Sequence, residues 1–374
     1  MKVRAAVLYE AKREIVVEEV DLQRPKQGEV LVRLAAAGVC HSDLHVLNGD
    51  LPAPLPVVMG HEGAGVVEEI GPGVTATSPG DHVVLVWRPA CGTCYFCQKG
   101  RPALCDFGTR MRWSGTLADG TSRLSAGGKE LRHFGCVSTF AEYTVVPEQG
   151  VVPIRKDVPL DVAAVVGCAV MTGVGAVVNT ARIEPGASVL VVGCGGVGLN
   201  VVQGAALAGA EKVIAVDVLP SKLALARAFG ATHTLNAREV AALPDAVREL
   251  TEGRGADYAF EVIGNPRTQL TCLDAVRRGG EAVLVGVAPL DAELAISPAR
   301  LVLEEKRLTS TMYGSCRPHY DAPRLLNLYT AGKLRLEELI SRRIDLGEVN
   351  KAFDLLRGGD VARQVITFDG GRPI

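Results

Sequence analysis

Four cysteines lie close together in this sequence, with the spacing Cys-x2-Cys-x2-Cys-x7-Cys, and they form its most specific chemical pattern. Thiolates at such short spacing can converge on one tetrahedral metal ion, and four of them leave no open position, as in structural zinc sites. Glycine and proline within the stretch favour the bends that this requires. The pattern predicts a lobe near residues 88–108 closed by structural zinc. Its ligands are Cys91, Cys94, Cys97 and Cys105.

Disulfide bonds and an iron–sulfur cluster are the alternatives for these four thiols. Disulfides need an oxidising compartment, and the first residues lack the apolar core and cleavage site of an export signal. The common bacterial cluster sequence ends in Cys-Pro after a shorter gap, whereas Cys105 is followed by Asp106. Zinc is therefore the favoured interpretation. Such a zinc ion would hold the lobe together, and it does not by itself indicate a catalytic reaction.

A second set of potential metal ligands lies earlier in the chain. Cys40-His41-Ser42-Asp43-Leu44-His45 is dense in ligand types, and Gly60-His61-Glu62-Gly63 adds a histidine beside a carboxylate. Each segment has an ordinary structural alternative, because a cysteine is often a small core residue and a Gly-His-Glu-Gly segment is often only a turn. Spacing alone therefore does not decide whether these residues bind a metal.

A glycine-rich turn follows an apolar strand and begins a helix at Gly193-Cys194-Gly195-Gly196-Val197-Gly198. In this context the first glycine permits a tight turn, the second admits a pyrophosphate, and the third lets the helix pack on the strand. The helix N-terminus then offers free N–H groups to the phosphates. Asp217 ends the next strand, where a carboxylate binds the ribose hydroxyls of NAD and repels the extra phosphate of NADP. Lys222 can add a contact to the same ribose. The alternative to dinucleotide binding is a purely structural turn with an aspartate on the surface.

The hydrophobic pattern changes near residue 170 and predicts two architectures. Before it, short strands broken by glycine and proline indicate an antiparallel barrel or sandwich. From Ser188 to Gly286, buried strands alternate with helices, including one predicted over Ala237–Leu250, which indicates a parallel, doubly wound sheet. After Thr311 the pattern is mixed, and Gln364–Phe368 can rejoin the first part. Gly115–Lys129 is predicted to be a surface loop. The predicted domains are 1–169, 170–310 and 311–374, the last returning to the first.

Composition narrows the functional class. The chain has 374 residues and a formal charge of −2, with 40 basic and 42 acidic residues, so nothing favours nucleic acid or an anionic membrane. The uncharged run Val162–Val178 is shorter than the roughly 20 residues of a membrane span, so a buried helix and turn is expected. Ten cysteines in such a chain suggest a reducing cytoplasm with metal sites.

Taken together, the segment from Cys40 to Glu62, the four-cysteine lobe, and the Gly193–Gly198 turn with Asp217 resemble the zinc-dependent medium-chain alcohol dehydrogenases. The similarity extends over nearly the whole chain, and the retained loop Gly115–Gly135 is typical of the branch of liver-type and related bacterial enzymes. The resemblance implies an α/β fold: a doubly wound parallel Rossmann sheet plus a mostly-β GroES-like catalytic domain.

The resemblance also implies roles for individual residues. Cys40, His61 and Cys168 match the ligands of a catalytic zinc ion with one open position. Asp43 matches the carboxylate that orients His61, Glu62 the acid behind the metal, and Ser42 and His45 a proton relay. The implied coenzyme contacts are His41, Gly193, Gly195, Gly196, Val197, Gly198, Asp217, Lys222, Val287 and Arg363. The implied substrate pocket contains Leu51, Trp87 and Met111, while Arg110 and Arg112 lie near its mouth and either bind an anionic group or are solvated.

The expected reaction is reversible hydride transfer from a primary alcohol with an apolar or aromatic tail to NAD, giving the aldehyde. The expected cofactors are NAD and two zinc ions per chain, in a cytoplasmic homodimer or tetramer. The alternative enzyme is a dehydrogenase of a thiol–formaldehyde adduct, although the short segment Asn48–Pro56 has only Asp50 where that branch is more acidic. A non-catalytic relative that binds nucleotide and zinc is a remote third interpretation, because such proteins commonly lose a ligand or the relay.

Overall fold

The computed structural model describes residues 1–359 and 361–368, which divide into two compact units. The first unit contains Met1–Cys168 and the described residues from Arg317 onward, and the second contains Ala169–Cys316. The sequence prediction placed the two boundaries at 169/170 and 310/311, one and six residues from these positions.

The first part of the chain forms short strands joined by brief helices. Its strands are β1 (Lys2–Leu8), β2 (Val16–Leu22), β3 (Glu29–Val39), β4 (Val57–Val58), β5 (Glu62–Ile70), β6 (His82–Leu85), β7 (Leu124–Ala126), β8 (Lys129–His133), β9 (Tyr143–Pro147) and β10 (Val151–Pro153). Its helices are α1 (His41–Asn48), α2 (Tyr95–Gln98), α3 (Asp106–Ser114) and α4 (Leu160–Ala164).

The second unit alternates strands and helices, as its sequence pattern predicts. Its helices are α5 (Ala169–Gly175), α6 (Gly196–Leu207), α7 (Pro220–Ala228), α8 (Leu243–Leu250), α9 (Pro266–Ala275) and α10 (Pro298–Glu304). Its strands are β11 (Ser188–Val192), β12 (Lys212–Asp217), β13 (His233–Asn236), β14 (Ala256–Glu261), β15 (Val276–Leu284) and β16 (Arg307–Ser310). The chain then returns to the first unit as α11 (Pro318–Thr330), β17 (Ile340–Ile344), α12 (Val349–Gly358) and β18 (Arg363–Thr367).

Two sheets build the first unit. One is a closed barrel in the order β1-β2-β7-β8-β4, and the other runs β10-β6-β5-β3-β18-β17, with β9 also paired to β3. The long strand β3 is central and almost wholly buried, and apart from Glu29 and Arg33 its residues are apolar. Because β18 pairs with β3, the last described strand completes the sheet next to Cys40.

The sheet of the second unit is parallel, in the order β13-β12-β11-β14-β15-β16. This is the doubly wound Rossmann arrangement, whose ligand site lies at the carboxyl ends of the strands where the order reverses, between β11 and β14. The glycine-rich turn follows β11 directly. The α/β fold class expected from the sequence is thus confirmed, with a mostly-β first unit.

Two local predictions were wrong. The helix predicted over Ala237–Leu250 begins only at Leu243, because Pro244 lacks an N–H and fits only the first turn of a helix. The segment Gly115–Lys129 is not simply a surface loop, since it contributes β7 and the fully buried Arg123. The guanidinium of Arg123 donates to both carboxylate oxygens of Glu29, at 2.8 and 2.6 Å, which satisfies the buried charge.

Among the described residues, no single helix is both long and apolar enough to cross a membrane. Leu160–Gly167 and Ala169–Ala181 together satisfy the length and composition, but the two helices are bent by 54° at their junction. Most side chains of this apolar segment are buried in the protein.

Candidate metal centres and coenzyme site

Three segments bring the donors of the first metal centre together. Cys40 follows the central strand β3 and is the N-cap of α1. His61 lies between β4 and β5, after Gly60, whose φ of +88° is in the left-handed region that favours glycine. Cys168 lies directly before α5, at the end of an apolar segment that gives no chemical sign of a ligand.

The four donor groups Cys40, His61, Glu62 and Cys168 are all buried, and one donor atom from each lies within 4.8 Å of the others. The Nε2 atom of His61 is buried and has no hydrogen-bond partner within the described residues. A buried imidazole nitrogen without a hydrogen-bond partner, close to two thiols, matches the donor types of a catalytic zinc site. The residues present therefore fit a zinc ion.

Asp43 holds two of these donors in place. Its Oδ1 accepts a hydrogen bond from His61 Nδ1 at 3.0 Å, and its Oδ2 accepts one from the backbone N–H of Cys40 at 3.0 Å. The first bond fixes the imidazole tautomer and leaves Nε2 free for a metal. Burial opposes the charged imidazole, but the adjacent carboxylate of Asp43 dominates and raises the pKa of His61 well above its usual value.

The carboxylate of Glu62 lies behind the donor set and is fully buried. Burial raises its pKa to about 8, although Arg363 opposes the shift. The Nη1 of Arg363 lies 3.2 Å from Glu62 Oε1 and donates to the carbonyl of Val39 at 3.0 Å. A Cβ at Gly38 would lie 2.1 Å from Glu62 Oε2, so a larger residue there would force this carboxylate to move. The sequence placed Arg363 at the coenzyme pyrophosphate, whereas its described contacts are with Glu62 and Val39.

The two thiols of this centre influence each other's pKa. A hydrogen bond from Cys168 is the largest cause that lowers the pKa of Cys40 well below its usual value, helped by Arg363 and His61. The same hydrogen bond, together with burial, raises the pKa of Cys168 well above its usual value. Deprotonation is thus easier at Cys40 than at Cys168, and metal ligation displaces a thiol proton.

The predicted four-cysteine lobe forms a second donor cluster. The Sγ atoms of Cys91, Cys94, Cys97 and Cys105 lie within 4.8 Å of one another, and none is in a disulfide. The backbone N–H groups of Cys91 and Cys94 donate to the sulfurs of Cys105 and Cys91, each at 3.3 Å. Such N–H donors stabilise thiolates, and the N–H of Thr93 lowers the pKa of Cys91 to about 6. The cluster fits a structural zinc ion.

Ser42 lies in the first turn of α1 and His45 in its last turn, on the helix that follows Cys40. His45 Nδ1 lies 3.3 Å from Asp50 Oδ2, and its side chain is partly exposed. Ser42 lines a small cavity that we call the Ser42 cavity. This cavity is also lined by Leu51, Arg112, Trp113, His133 and Phe134.

The predicted substrate residues divide between different places. Leu51 lines the Ser42 cavity. Trp87 packs its ring edge-on to His61, with 6.1 Å between ring centroids. Met111 is buried and lines a neighbouring cavity with Arg110, and its role in the substrate pocket stays a prediction. One helical step separates Met111 from Arg112, and this step of about 100° turns the two side chains to different faces of α3.

Two aromatic wall residues were missed by the sequence analysis. Trp113 and Phe134 both line the Ser42 cavity, and the Phe134 ring lies 5.6 Å from that of His61 in an edge-on arrangement. Trp113 could have been found from the sequence, because it directly follows Arg112, which was already expected near the mouth of the substrate pocket. Phe134 lies at the end of β8, far in sequence from the metal ligands, and nothing local marks it.

In the second unit, each glycine of the turn has its own steric reason. Gly193 has a φ of +100°. A Cβ at Gly198 would lie 1.8 Å from the carbonyl oxygen of Gly193, so only glycine allows this helix–strand contact. A Cβ at Gly195 would meet nothing within 4 Å, so open space lies above the N-cap of α6. Gly196 and Val197 begin α6 with their N–H groups directed there. The turn fits a dinucleotide pyrophosphate.

The remaining predicted coenzyme residues lie near this turn or on the first unit. Asp217 ends β12, and its Oδ2 accepts the N–H of Cys194 at 2.8 Å, which ties the carboxylate to the glycine turn. Lys222 lies in the first turn of α7, and the exposed Val287 follows β15. His41 is the first residue of α1 and is exposed.

Comparisons with known proteins agree with both units. The family model described as the alcohol dehydrogenase GroES-like domain matches residues 26–156, and the model described as zinc-binding dehydrogenase matches residues 196–331. The S-(hydroxymethyl)glutathione dehydrogenase of Paracoccus denitrificans is 40% identical over 376 residues, covering 98% of this chain and 100% of that protein.

Solved structures are similar along the whole chain. An alcohol dehydrogenase zinc-binding domain protein from Burkholderia ambifaria has a TM-score of 0.94 at 36% identity, covering 98% of this chain and 99% of the other. Benzyl alcohol dehydrogenase from Acinetobacter calcoaceticus has a TM-score of 0.93 at 33% identity, with the same coverage. With the two donor clusters and the Rossmann turn, these findings show that the chain belongs to the NAD- and zinc-dependent medium-chain alcohol dehydrogenases.

Proposed function

We propose that this enzyme oxidises a primary alcohol with an apolar or aromatic tail to the aldehyde, reducing NAD+ to NADH and releasing one proton. The observation that carries the proposal is the buried donor set of Cys40, His61 and Cys168, with a free His61 Nε2, close to the cavity lined by Ser42. When bound there, zinc supplies a Lewis acid that makes the alcohol hydroxyl more acidic.

The chain's own residues then handle the proton and the geometry. Ser42 accepts the proton of the substrate hydroxyl, and His45 passes it to solvent, since its ring is partly exposed and its Nδ1 is held by Asp50. Asp43 keeps the His61 ring in one orientation. The rings of Trp87 and Phe134, packed edge-on to His61, keep water from the donor set.

Replacing His45 with glutamine should slow alcohol oxidation by roughly 10²–10⁴-fold at most, the range for a positioned acid–base group. The loss should be largest at low pH, where solvent hydroxide is scarcest and the proton most needs a route. The measurement is kcat against pH with saturating NAD. His233→Gln, which alters a histidine of the second unit, is the control. An unchanged pH–rate profile in His45→Gln would remove His45 from the relay.

A second substrate class is favoured by the relatives. The Paracoccus denitrificans protein named S-(hydroxymethyl)glutathione dehydrogenase is 40% identical along almost the whole chain, which supports a thiol–formaldehyde adduct as the alternative substrate. The Ser42 cavity supports the primary alcohol, because Leu51, Trp113 and Phe134 give it an apolar and aromatic wall. The segment Asn48–Pro56 carries only Asp50 as an acidic residue.

The deciding experiment compares kcat/KM for hexanol, benzyl alcohol and the formaldehyde adduct of glutathione, with NAD reduction followed at 340 nm. Values for the simple alcohols at least ten times that of the adduct support the proposal. The reverse order assigns the enzyme to the thiol-adduct branch. Absence of NAD reduction with all three would favour the remote alternative, a relative that binds nucleotide and zinc without catalysis.

For the coenzyme, we propose that Asp217 makes NAD preferred over NADP. Asp217→Asn removes the negative charge but keeps one oxygen that can accept the N–H of Cys194. Two negative charges about 4 Å apart repel by roughly 1–4 kcal/mol, so the NAD/NADP ratio of kcat/KM should fall by roughly 5- to 1,000-fold. Asp245→Asn, an exposed change in the same unit, should leave the ratio unaltered. Equal wild-type values for the two coenzymes would contradict the role of Asp217.

We also propose that the enzyme is a cytoplasmic homodimer or tetramer that acts on a small molecule. The edge strand β16 of the parallel sheet is available for pairing, and the neighbouring α10 exposes Val302 and Leu303. Unpaired edges and exposed apolar side chains are features of subunit interfaces. Sedimentation equilibrium of the protein measures its oligomeric state directly. A monomer at micromolar concentration would contradict this proposal.

A further inference from the structure

Arg112 is a cation placed at the wall of the proposed reaction site. It lies in the last turn of α3, where a positive charge is favourable to the helix dipole. Its guanidinium carbon lies 4.9 Å from the ring centroid of Trp113 and 5.5 Å from that of Trp87. Two aromatic faces thus hold the guanidinium in place by cation–π contacts.

The guanidinium is close to the metal donors without binding them. Trp87, which it stacks on, packs edge-on to His61, and Arg112 lines the same cavity as Ser42. Burial lowers the pKa of Arg112, with the thiols of Cys136 and Cys168 opposing the shift, and an arginine remains charged after such a shift. A fixed positive charge therefore faces the cavity in which the alcohol is proposed to bind.

This charge has no counterion in the described part of the chain. Across residues 1–359 and 361–368, the guanidinium of Arg112 makes no hydrogen bond or ion pair, and no acidic residue lines the Ser42 cavity. His133 also lines it, but burial and Arg123 lower the pKa of His133 to about 3, so its ring is neutral. An arginine offers five N–H donors in a planar fork, and leaving them unpaired in a half-buried site is costly unless a ligand takes them.

We propose that Arg112 binds a carboxylate on the substrate, so that the preferred alcohols are hydroxymethyl compounds carrying an anionic group beyond an apolar or aromatic spacer. A planar carboxylate matches the guanidinium fork with two parallel hydrogen bonds, which a lysine does not reproduce. The reacting hydroxyl lies toward Ser42 and the carboxylate toward the tryptophan pair. This inference rests on the proposed oxidation of alcohols and specifies its substrate class.

Arg110 provides a matched control on the same helix. Its guanidinium lies 5.9 Å from the Phe107 ring and lines the neighbouring cavity with Met111 and Leu117, not the Ser42 cavity. Removal of either charge changes the net charge of α3 by the same amount. Only Arg112 is placed to contact a group in the Ser42 cavity.

The experiment measures kcat/KM of the zinc-loaded enzyme for 4-(hydroxymethyl)benzoate and for its neutral amide, which has nearly the same shape. Hydrogen bonds to a charged group contribute about 1.5–3 kcal/mol, so the carboxylate should be preferred roughly 10- to 100-fold in the wild type. Arg112→Gln should bring the carboxylate/amide ratio near one, mainly through KM, with Arg112→Lys intermediate. Arg110→Gln should keep the wild-type ratio.

A wild-type ratio near one, or an unchanged ratio in Arg112→Gln, would overturn the inference while leaving alcohol oxidation intact. If neither compound reduces NAD, the proposed function fails instead, and calorimetric titration of the wild type with the two compounds still decides the inference. Should Arg112→Gln not fold, competitive inhibition of the wild type by benzoate and benzamide replaces it. Benzoate should inhibit at least tenfold more tightly, and equal inhibition would contradict the role of Arg112.

Discussion

Replacing Cys168 with serine should abolish alcohol oxidation and remove one of two zinc ions, while the fold persists. The Lewis acid contributes several kcal/mol to the transition state, so a loss of roughly 10³-fold or more in kcat is expected. The four-cysteine lobe shares no ligand with this centre, so its zinc should stay. Metal analysis by inductively coupled plasma mass spectrometry, together with circular dichroism, tests both parts.

Two further variants separate the centres. Cys97→Ser should lose the other zinc ion and lower the melting temperature, because a structural zinc ion supplies folding free energy. Cys272→Ala, at a buried cysteine outside both donor clusters, should keep both metals. Fully active wild-type protein with one zinc ion per chain would contradict the two-centre interpretation.

Replacing Gly195 or Gly198 with alanine should damage the enzyme in two distinguishable ways. At Gly198 the new Cβ would lie 1.8 Å from a backbone oxygen, so α6 must move and the second unit should lose roughly 1–3 kcal/mol or more of stability. At Gly195 the Cβ meets no protein atom within 4 Å, so the fold should persist while the methyl occupies space needed by the pyrophosphate.

Thermal unfolding and NAD titration by protein fluorescence measure the two effects separately. Gly195→Ala should melt like the wild type and bind NAD at least about tenfold more weakly, whereas Gly198→Ala should lose both stability and binding. Wild-type affinity in Gly195→Ala would show that the pyrophosphate does not lie over this turn.

Sequence predicted best where the chemistry is local. The Gly193–Gly198 turn and the cysteines from Cys91 to Cys105 are contiguous, and short spacing of such residues constrains the structure by itself. The alternating strands of the second unit were predicted for the same reason, since strands buried on both faces must be uniformly apolar. The observed start of a helix differs from the predicted one where proline restricts the helix, as at Pro244 in α8.

Long-range contacts were the part that the sequence could not supply. Cys168 lies in an apolar segment and was assigned only by family resemblance. Arg123 was predicted to lie in a surface loop, because the sequence does not show that Glu29, 94 positions earlier, lies beside it. Met111 and Arg112 line different cavities, and which cavity each one faces depends on how α3 is rotated about its axis. The helix has no apolar stripe from which this rotation could be predicted.

The pairing of β18 with β3 has a consequence for the order in which the chain is made. Arg363 reaches back 324 positions to the carbonyl of Val39 and lies against Glu62. On the ribosome, Cys40, His61 and Glu62 therefore emerge long before the strand and the counter-charge that complete their surroundings. Until then β3 has an unpaired edge and Glu62 has no cation, so a prematurely terminated chain should be captured by chaperones and proteases and not accumulate as a weak dehydrogenase.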